Sequence, residues 1–163
     1  MNKLAITLLL TLAGPVLAQG IDDSSITTRI NRAIERSDEL EGSDIQVTSV
    51  NGFVLLTGQV LNADQKQKAS VAVAFATDDM RRLINELEVV NTLDSSFRDS
   101  DAALQSRIID EIRDLTQSTT AVVFNGTVHL LGQVSKDERD AVATKISKMP
   151  GVKNIRLSFE VMP

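Results

Sequence analysis

Apolar and polar residues follow two different periods between residues 21 and 91. Helical spacing of apolar residues at 26–34 and at 69–76 predicts two amphipathic helices. Between them, two alternating runs meet at Asn51-Gly52, a pair that favours a two-residue hairpin because both residues tolerate positive φ. A run at 83–89 predicts a third strand. Because strands joined through a helix usually lie parallel, we predict an α-β-β-α-β unit: a three-stranded mixed sheet with both helices on one face.

The same unit occurs a second time. Residues 51–60, NGFVLLTGQV, recur as residues 125–134, NGTVHLLGQV, with seven of ten positions identical at an offset of 74. Helical spacing precedes and follows this second hairpin, and a further alternating run comes after it. Repetition at a fixed offset indicates tandem structural units. We therefore predict an α+β fold with one domain at 21–91, a linker at 92–98 and a second domain at 99–162.

Residues 1–20 have the pattern of a secretory signal peptide. Lys3 precedes an apolar run at 4–13, and Gly14-Pro15 interrupts that run. Val16 and Ala18 then place small residues at the first and third positions of a cleavage triplet. The alternative, an uncleaved membrane anchor, needs roughly 20 apolar residues in succession. We expect residues 1–18 to be removed after export from the cytoplasm. Because the chain has no cysteine, it cannot carry a lipid-modified cysteine or a disulfide, and we expect no lipid anchor.

Composition excludes most chemistries that require particular residue types. With one histidine, no cysteine, no tryptophan and no tyrosine, the chain lacks the ligands of thiolate or multi-histidine metal sites and the aromatic platforms that stack nucleic-acid bases. Its net charge of −5 also disfavours nucleic acid. Its acidic pairs and repeated glycines match neither calcium loops nor phosphate-binding loops. We assign no catalytic, cofactor-binding or metal-binding residue and expect that the protein is not an enzyme. We expect His129 to be exposed or half-exposed on its strand.

The order of these motifs resembles one known family. Each unit has a helix, an Asn-Gly hairpin and a closing Gly58 or Gly132, and the second continues through Pro150-Gly151-Val152 to Ile155. This arrangement resembles the BON domain, and its duplication behind a signal peptide is similar to periplasmic double-BON proteins of Gram-negative bacteria. The resemblance implies a non-catalytic periplasmic protein that supports envelope integrity or the response to stress, including osmotic stress. The first unit departs from the pattern because Asp79-Met80 replaces the Gly-Val turn.

An apolar set on the first sheet is the candidate surface for a protein partner. By strand alternation, Val50, Phe53, Leu55 and Ile84 lie on the face away from the helices. An uncovered apolar patch marks a contact site, and we predict binding of envelope or outer-membrane proteins in a chaperone-like role. The alternative is that this set packs against the second unit or the linker. The matching positions of the second unit are more polar: Phe124, Thr127, His129 and Arg156.

Charge divides unevenly between the units and leaves a second interpretation open. Residues 21–91 contain seven basic and twelve acidic side chains, whereas residues 98–163 contain nine of each. Only the second unit could therefore approach an anionic bilayer. Its candidate headgroup contacts are Lys145, Lys148, Lys153 and Arg156. The family resemblance also implies anionic phospholipid as a ligand, so a peripheral lipid binder is the alternative function. A merely solvated face is the alternative interpretation of these four basic residues.

Overall fold

The computed structural model of this protein describes residues 21–116 and 119–161. The predicted signal peptide lies outside these residues. Within them, two consecutive α-β-β-α-β units follow one another, each with a mixed sheet covered by two helices. The predicted α+β fold class is confirmed.

The first unit is built around its second strand. β2 pairs antiparallel with β1 across the hairpin and parallel with β3 and β4 on its other side. A short 3-10 turn at Asp38–Leu40 connects the first helix to the sheet. The elements are α1 Asp23–Glu35, β1 Asp44–Val50, β2 Phe53–Val60, α2 Ala63–Ala76, β3 Arg82–Asn85 and β4 Glu88–Val89.

The second unit repeats this order with a continuous last strand. β6 is central, antiparallel to β5 and parallel to β7. The elements are α3 Arg98–Ile112, β5 Thr119–Phe124, β6 Thr127–Val134, α4 Lys136–Ile146 and β7 Asn154–Val161. Both predicted hairpin turns are present, since Asn51 and Asn125 have φ values of 52° and 48° and the following glycines are also positive. These values are those of a type I′ turn.

Each unit has its own apolar core between its helices and one face of its sheet. In the first, Ile26 and Ile30 of α1 and Val73 of α2 pack on Val54 and Leu56 of β2. The second core repeats this arrangement with residues of α3, α4, β5 and β6: Leu104, Ile108, Ile112, Ala121, Val123, Val128, Leu130, Val142 and Ile146. Burying each such side chain contributes about 1.5–3 kcal/mol, so the helical stripes read from the sequence fix which face of each sheet is covered.

The third strand of the first unit is interrupted, unlike its counterpart. The single run predicted at 83–89 is split into β3 and β4 by Glu86 and Leu87. The Asn85 side chain accepts the backbone N–H of Leu87 at 3.2 Å and donates to the Lys66 carbonyl at 2.8 Å. Hydrogen bonds from the Asn85 side chain thus interrupt the regular backbone pairing of the strand at this point. The alternation of apolar residues does not reveal such a break.

The two units dock through the sheet faces that their helices leave uncovered. Phe53 and Leu55 of β2 form one buried cluster with Val122 of β5 and Leu131 of β6. Polar contacts surround this cluster. Arg98 at the start of α3 forms an ion pair with Asp44 of β1, the Asn125 amide donates to Glu88 at 3.5 Å, and the Gln59 amide oxygen accepts the backbone N–H of Asp94 at 2.7 Å.

Candidate functional site

The apolar set predicted as a partner surface lies between the two units. Phe53 is 7% exposed and Leu55 is 1% exposed, and Val50 and Ile84 pack on the same cluster half-buried. The prediction of an uncovered surface at these four residues is therefore corrected, and its alternative, packing against the second unit, is what the structure has. The physical reason is that Val122 and Leu131 supply a matching apolar surface on the second sheet.

His129 lies in the same interface and is buried, which corrects the expectation of an exposed strand histidine. Its side chain is 3% exposed, and among the described residues its Nδ1 has no hydrogen-bond partner. It lines a cavity of about 320 Å³ between the units, together with Glu86, Glu88, Lys66 and Arg156. Burial lowers the pKa of His129, the Glu86 carboxylate acts in the opposite direction, and Arg156 lowers the pKa further.

The four basic residues predicted to contact lipid headgroups do not share one surface. Lys145 of α4 forms an ion pair with Glu111 of α3 at 2.9 Å, and Lys148 lines the same open groove of about 790 Å³ between these helices. Lys153 donates to the Asn125 side chain beside the hairpin turn at 2.9 Å. Arg156 lines the cavity between the units. The structure therefore brings two of the four together.

An apolar patch that the sequence analysis did not single out lies on α2. Phe75 is 89% exposed and Val71, one turn earlier, is 46% exposed, with the exposed Ala74 between them. We call Val71, Ala74 and Phe75 the α2 patch. The helical periodicity of the sequence indicates this exposure, because positions 71 and 75 lie opposite the buried stripe of Ala69 and Val73 on a helical wheel.

Several carboxylates lie on or beside α2, and most of them are paired with a basic side chain. Asp78 and Asp79 follow the helix and are exposed. Asp79 forms an ion pair with Arg29 of α1. Lys68, three residues before Val71, bonds to Glu39 and Asp64 at 2.7 and 2.9 Å, and these hydrogen bonds, led by that to Glu39, raise the pKa of Lys68. The patch thus offers an exposed aromatic ring near carboxylates that, apart from Asp78, are paired with Arg29 or Lys68.

The sequence profile of the BON domain matches residues 22–91 and 100–163 of this chain. The chain belongs to the BON-domain family. Each matched stretch coincides with one α-β-β-α-β unit, so the first BON domain carries the α2 patch and the second carries the groove beside Lys145 and Lys148.

Two relatives align with most of the chain and so with both BON domains. The outer membrane lipoprotein DolP of Haemophilus influenzae is 29% identical over 147 residues, which cover 87% of this chain and 76% of DolP. The osmotically-inducible protein Y of Escherichia coli is 28% identical over 146 residues, which cover 82% of this chain and 71% of that protein.

Among solved structures, the chain is similar to the C-terminal domain of CdsD, a structural protein of the type III secretion system of Chlamydia trachomatis. The alignment covers 88% of this chain and 68% of that one, with 14% sequence identity and a TM-score of 0.36. The BON assignment rests on the sequence profile and not on this likeness.

The described part of the chain has neither a cluster of metal ligands nor a membrane-spanning helix. Over residues 21–116 and 119–159, no three His, Asp or Glu side chains are grouped so that they could hold a metal ion. None of the helices there combines the length and apolar character needed to cross a bilayer.

Proposed function

We propose that this BON protein is a non-catalytic binding module of the cell envelope that holds envelope or outer-membrane proteins in a chaperone-like manner. The name of one relative, an outer membrane lipoprotein, supports the cell envelope as the compartment, and the name of the other, osmotically inducible, supports a link to stress. The pattern of residues 1–18 supports export to the periplasm. A role in the envelope's response to stress follows from the same relationship.

The exposure of Phe75 is the observation that carries this proposal. A phenylalanine that is 89% exposed on a helix otherwise rich in alanine has no packing role within its own domain. Burying such a ring contributes about 1.5–3 kcal/mol to an association, and aromatic anchors of this kind dominate many protein interfaces. Val71 widens the apolar area along the helix. We therefore assign to the α2 patch the partner-binding role that was first predicted for Val50, Phe53, Leu55 and Ile84.

The net charge of the first domain indicates which partner the α2 patch accepts. The first domain has an excess of five acidic side chains over residues 21–91, so it repels an anionic bilayer and attracts basic polypeptide. Strands of outer-membrane β-barrels alternate apolar and polar residues and expose apolar side chains before insertion. A partner of this kind supplies apolar contacts for Phe75 and a cationic contact for Asp78.

The proposal is tested by the aggregation of an unfolded outer-membrane β-barrel protein diluted from denaturant. We expect the wild-type protein to delay aggregation and Phe75→Ser to lose most of that effect. Leu93→Ser is the matched control, because Leu93 is 40% exposed but lies in the linker. The proposal fails if the wild-type protein has no effect, or if both variants behave alike.

The alternative partner is an anionic bilayer, and sedimentation with anionic vesicles at low salt tests it. Its candidate contacts are Lys145, Lys148, Lys153 and Arg156, of which Lys145 is paired with Glu111. Pelleting that is abolished by Lys148→Glu and retained by Phe75→Ser would favour the lipid function over the protein-binding one. We expect no pelleting, because each membrane-facing Lys or Arg contributes only about 1 kcal/mol.

A further inference from the structure

The two BON domains differ in the length and continuity of the last strand, which forms an outer edge of each sheet. In the first domain this edge is short, because β3 and β4 have four and two residues. In the second domain β7 runs for eight residues in unbroken register with β6, from Asn154 beside Thr127 to Val161 beside Val134. Sheet edges of this length present a row of backbone groups that can pair with another strand.

At this edge of the first domain, side chains form hydrogen bonds with backbone groups that point outward from the sheet. In a parallel ladder the N–H and C=O of alternate residues point to the same side, and the N–H of Glu86 bonds inward to Leu56. The backbone N–H and C=O of Leu87 therefore point outward, away from β2. Its N–H is accepted by Asn85 at 3.2 Å, and its carbonyl accepts the Lys66 ammonium at 2.7 Å.

The corresponding groups of β7 face away from β6. The N–H groups of Lys153, just before the strand, and of Asn154 both bond to the Gly126 carbonyl, at 2.8 and 3.5 Å. Asn154 lies opposite Thr127 as Arg82 lies opposite Phe53 in the first domain, where the even-numbered residues bond inward. The even-numbered residues of β7 therefore face β6, and Ile155, Leu157 and Phe159 direct their backbone groups outward. Within the described ranges, no side chain bonds to these three backbones. Leu157 is 44% exposed, and Arg156 is also exposed. This edge can therefore accept a further strand.

The sequence of β7 is complementary to itself in one antiparallel register. When two copies of β7 pair antiparallel, their outward-facing, odd-numbered residues must form the hydrogen bonds, so odd-numbered residues of one copy lie opposite odd-numbered residues of the other. Paired residue numbers then add to an even sum. The two-fold axis that relates the copies therefore lies at a residue and not between two residues. An axis at Ser158 places position 157 opposite 159 and position 155 opposite 161, which are all apolar in the sequence. It also places Arg156 opposite position 160, a glutamate. An axis at 156 opposes two arginines, and axes at 157 or 159 oppose no charged pair.

We propose that β7 is a homodimerisation edge, where two copies of this protein pair antiparallel about Ser158 to form one continuous six-stranded sheet. Opposite charges directly across an antiparallel pair stabilise it, and like charges destabilise it. The pairing also joins the apolar side of both strands and covers Leu157. It leaves the α2 patch on the other domain, so the proposal is independent of the proposed function.

Cysteine crosslinking tests the register, because the natural chain has no cysteine. In this pairing residue 158 faces itself in a non-hydrogen-bonded pair, where Cα atoms lie about 4.5 Å apart, within disulfide range. We expect Ser158→Cys to form a disulfide-linked dimer under mild oxidation. Arg156→Cys alone should stay monomeric, and so should the control Ser106→Cys on the exposed surface of α3. Equal crosslinking of all three variants, or none by Ser158→Cys, overturns the register.

Charge reversal tests the pairing without oxidation. Sedimentation velocity should show a concentration-dependent dimer for the wild-type protein and a monomer for Arg156→Glu and for Glu160→Arg. The double variant should recover the dimer, because it restores opposite charges across the pair. Lys148→Glu, which changes the same charge on the helical side, should dimerise like the wild type. A monomeric wild-type protein at every concentration, or a double variant that stays monomeric, overturns the proposal.

Discussion

The buried carboxylate of Asp101 accepts the backbone N–H of Gly126 at 2.9 Å, and so ties the first turn of α3 to the hairpin turn between β5 and β6. The same carboxylate accepts the N–H of Asn125 at 2.5 Å. In the first domain Asp23 does the same for Asn51 and Gly52, at 2.6 and 2.9 Å. Both domains thus use a helix aspartate to satisfy backbone donors that a type I′ turn leaves unpaired.

Loss of this carboxylate should destabilise the second domain. Asp101→Ala leaves the buried N–H of Gly126 and the part-buried N–H of Asn125 without this acceptor, and hydrogen bonds to charged groups contribute about 1.5–3 kcal/mol each. We expect the free energy of unfolding, measured in urea, to fall by about 2–4 kcal/mol. Asp99→Ala is the matched control, since Asp99 is an exposed aspartate in the same helical turn. If the two variants lose equal stability, the helix dipole and not the hairpin contact explains Asp101.

Gly58 should tolerate no side chain. Its φ of +126° is one that residues with a Cβ rarely adopt, and a Cβ there would overlap the carbonyl oxygen of Asp44 on β1. We expect Gly58→Ala to lower the unfolding free energy by about 2 kcal/mol or more, because strain and a steric overlap add. Gly42→Ala is the control, with positive φ but only Leu61 at 3.7 Å. Equal urea midpoints for the two variants would contradict this explanation.

His129 should make stability depend on pH. Its folded-state pKa lies below the ordinary value of 6.5 because burial disfavours the charged imidazole. The unfolded chain therefore takes up the proton first, so the stabilising contribution is complete above that value and is lost as the pH falls below it. His129→Leu, which installs the residue found at position 55, should flatten the melting temperature between roughly pH 5 and pH 7. An unchanged pH profile for this variant would contradict the buried placement.

Leu55 and Leu131 should be energetically coupled, because they meet across the contact between the domains. Leu→Ala in a packed site costs about 2–5 kcal/mol. We expect a double-mutant cycle on unfolding to give a coupling energy of about 0.5–3 kcal/mol, as for residues in contact. Leu55→Ala combined with Val89→Ala should be additive, since Val89 is 51% exposed. Additivity of the Leu55 and Leu131 changes would indicate that the domains do not dock through these faces.

The sequence predicted the elements well because local rules decide them. Asn51-Gly52 dictates a turn by its tolerance of positive φ, and the spacing of Ile26 and Ile30 dictates which helix face is buried. The break at Glu86 was missed, since it depends on bonds between Asn85 and a lysine 19 residues away.

The candidate site was predicted less well, because alternation shows which residues share a face but not what covers that face. Phe53 and His129 were placed on the correct sides of their strands and given the wrong exposure. Covering them required shape matching between two sheets, which no local pattern encodes. Phe75 was overlooked because α2 contains mostly small residues, and its exposure depends on where the helix rests on the sheet.

Photo-crosslinking to an unfolded outer-membrane β-barrel protein tests most directly where this protein holds its partner. A benzophenone amino acid is placed at position 75 in one variant and at position 53 in another. The account predicts that the probe at 75 attaches to the added protein, and that the probe at 53 attaches within the chain, to the second domain. Attachment of the added protein at 53 and none at 75 would contradict it.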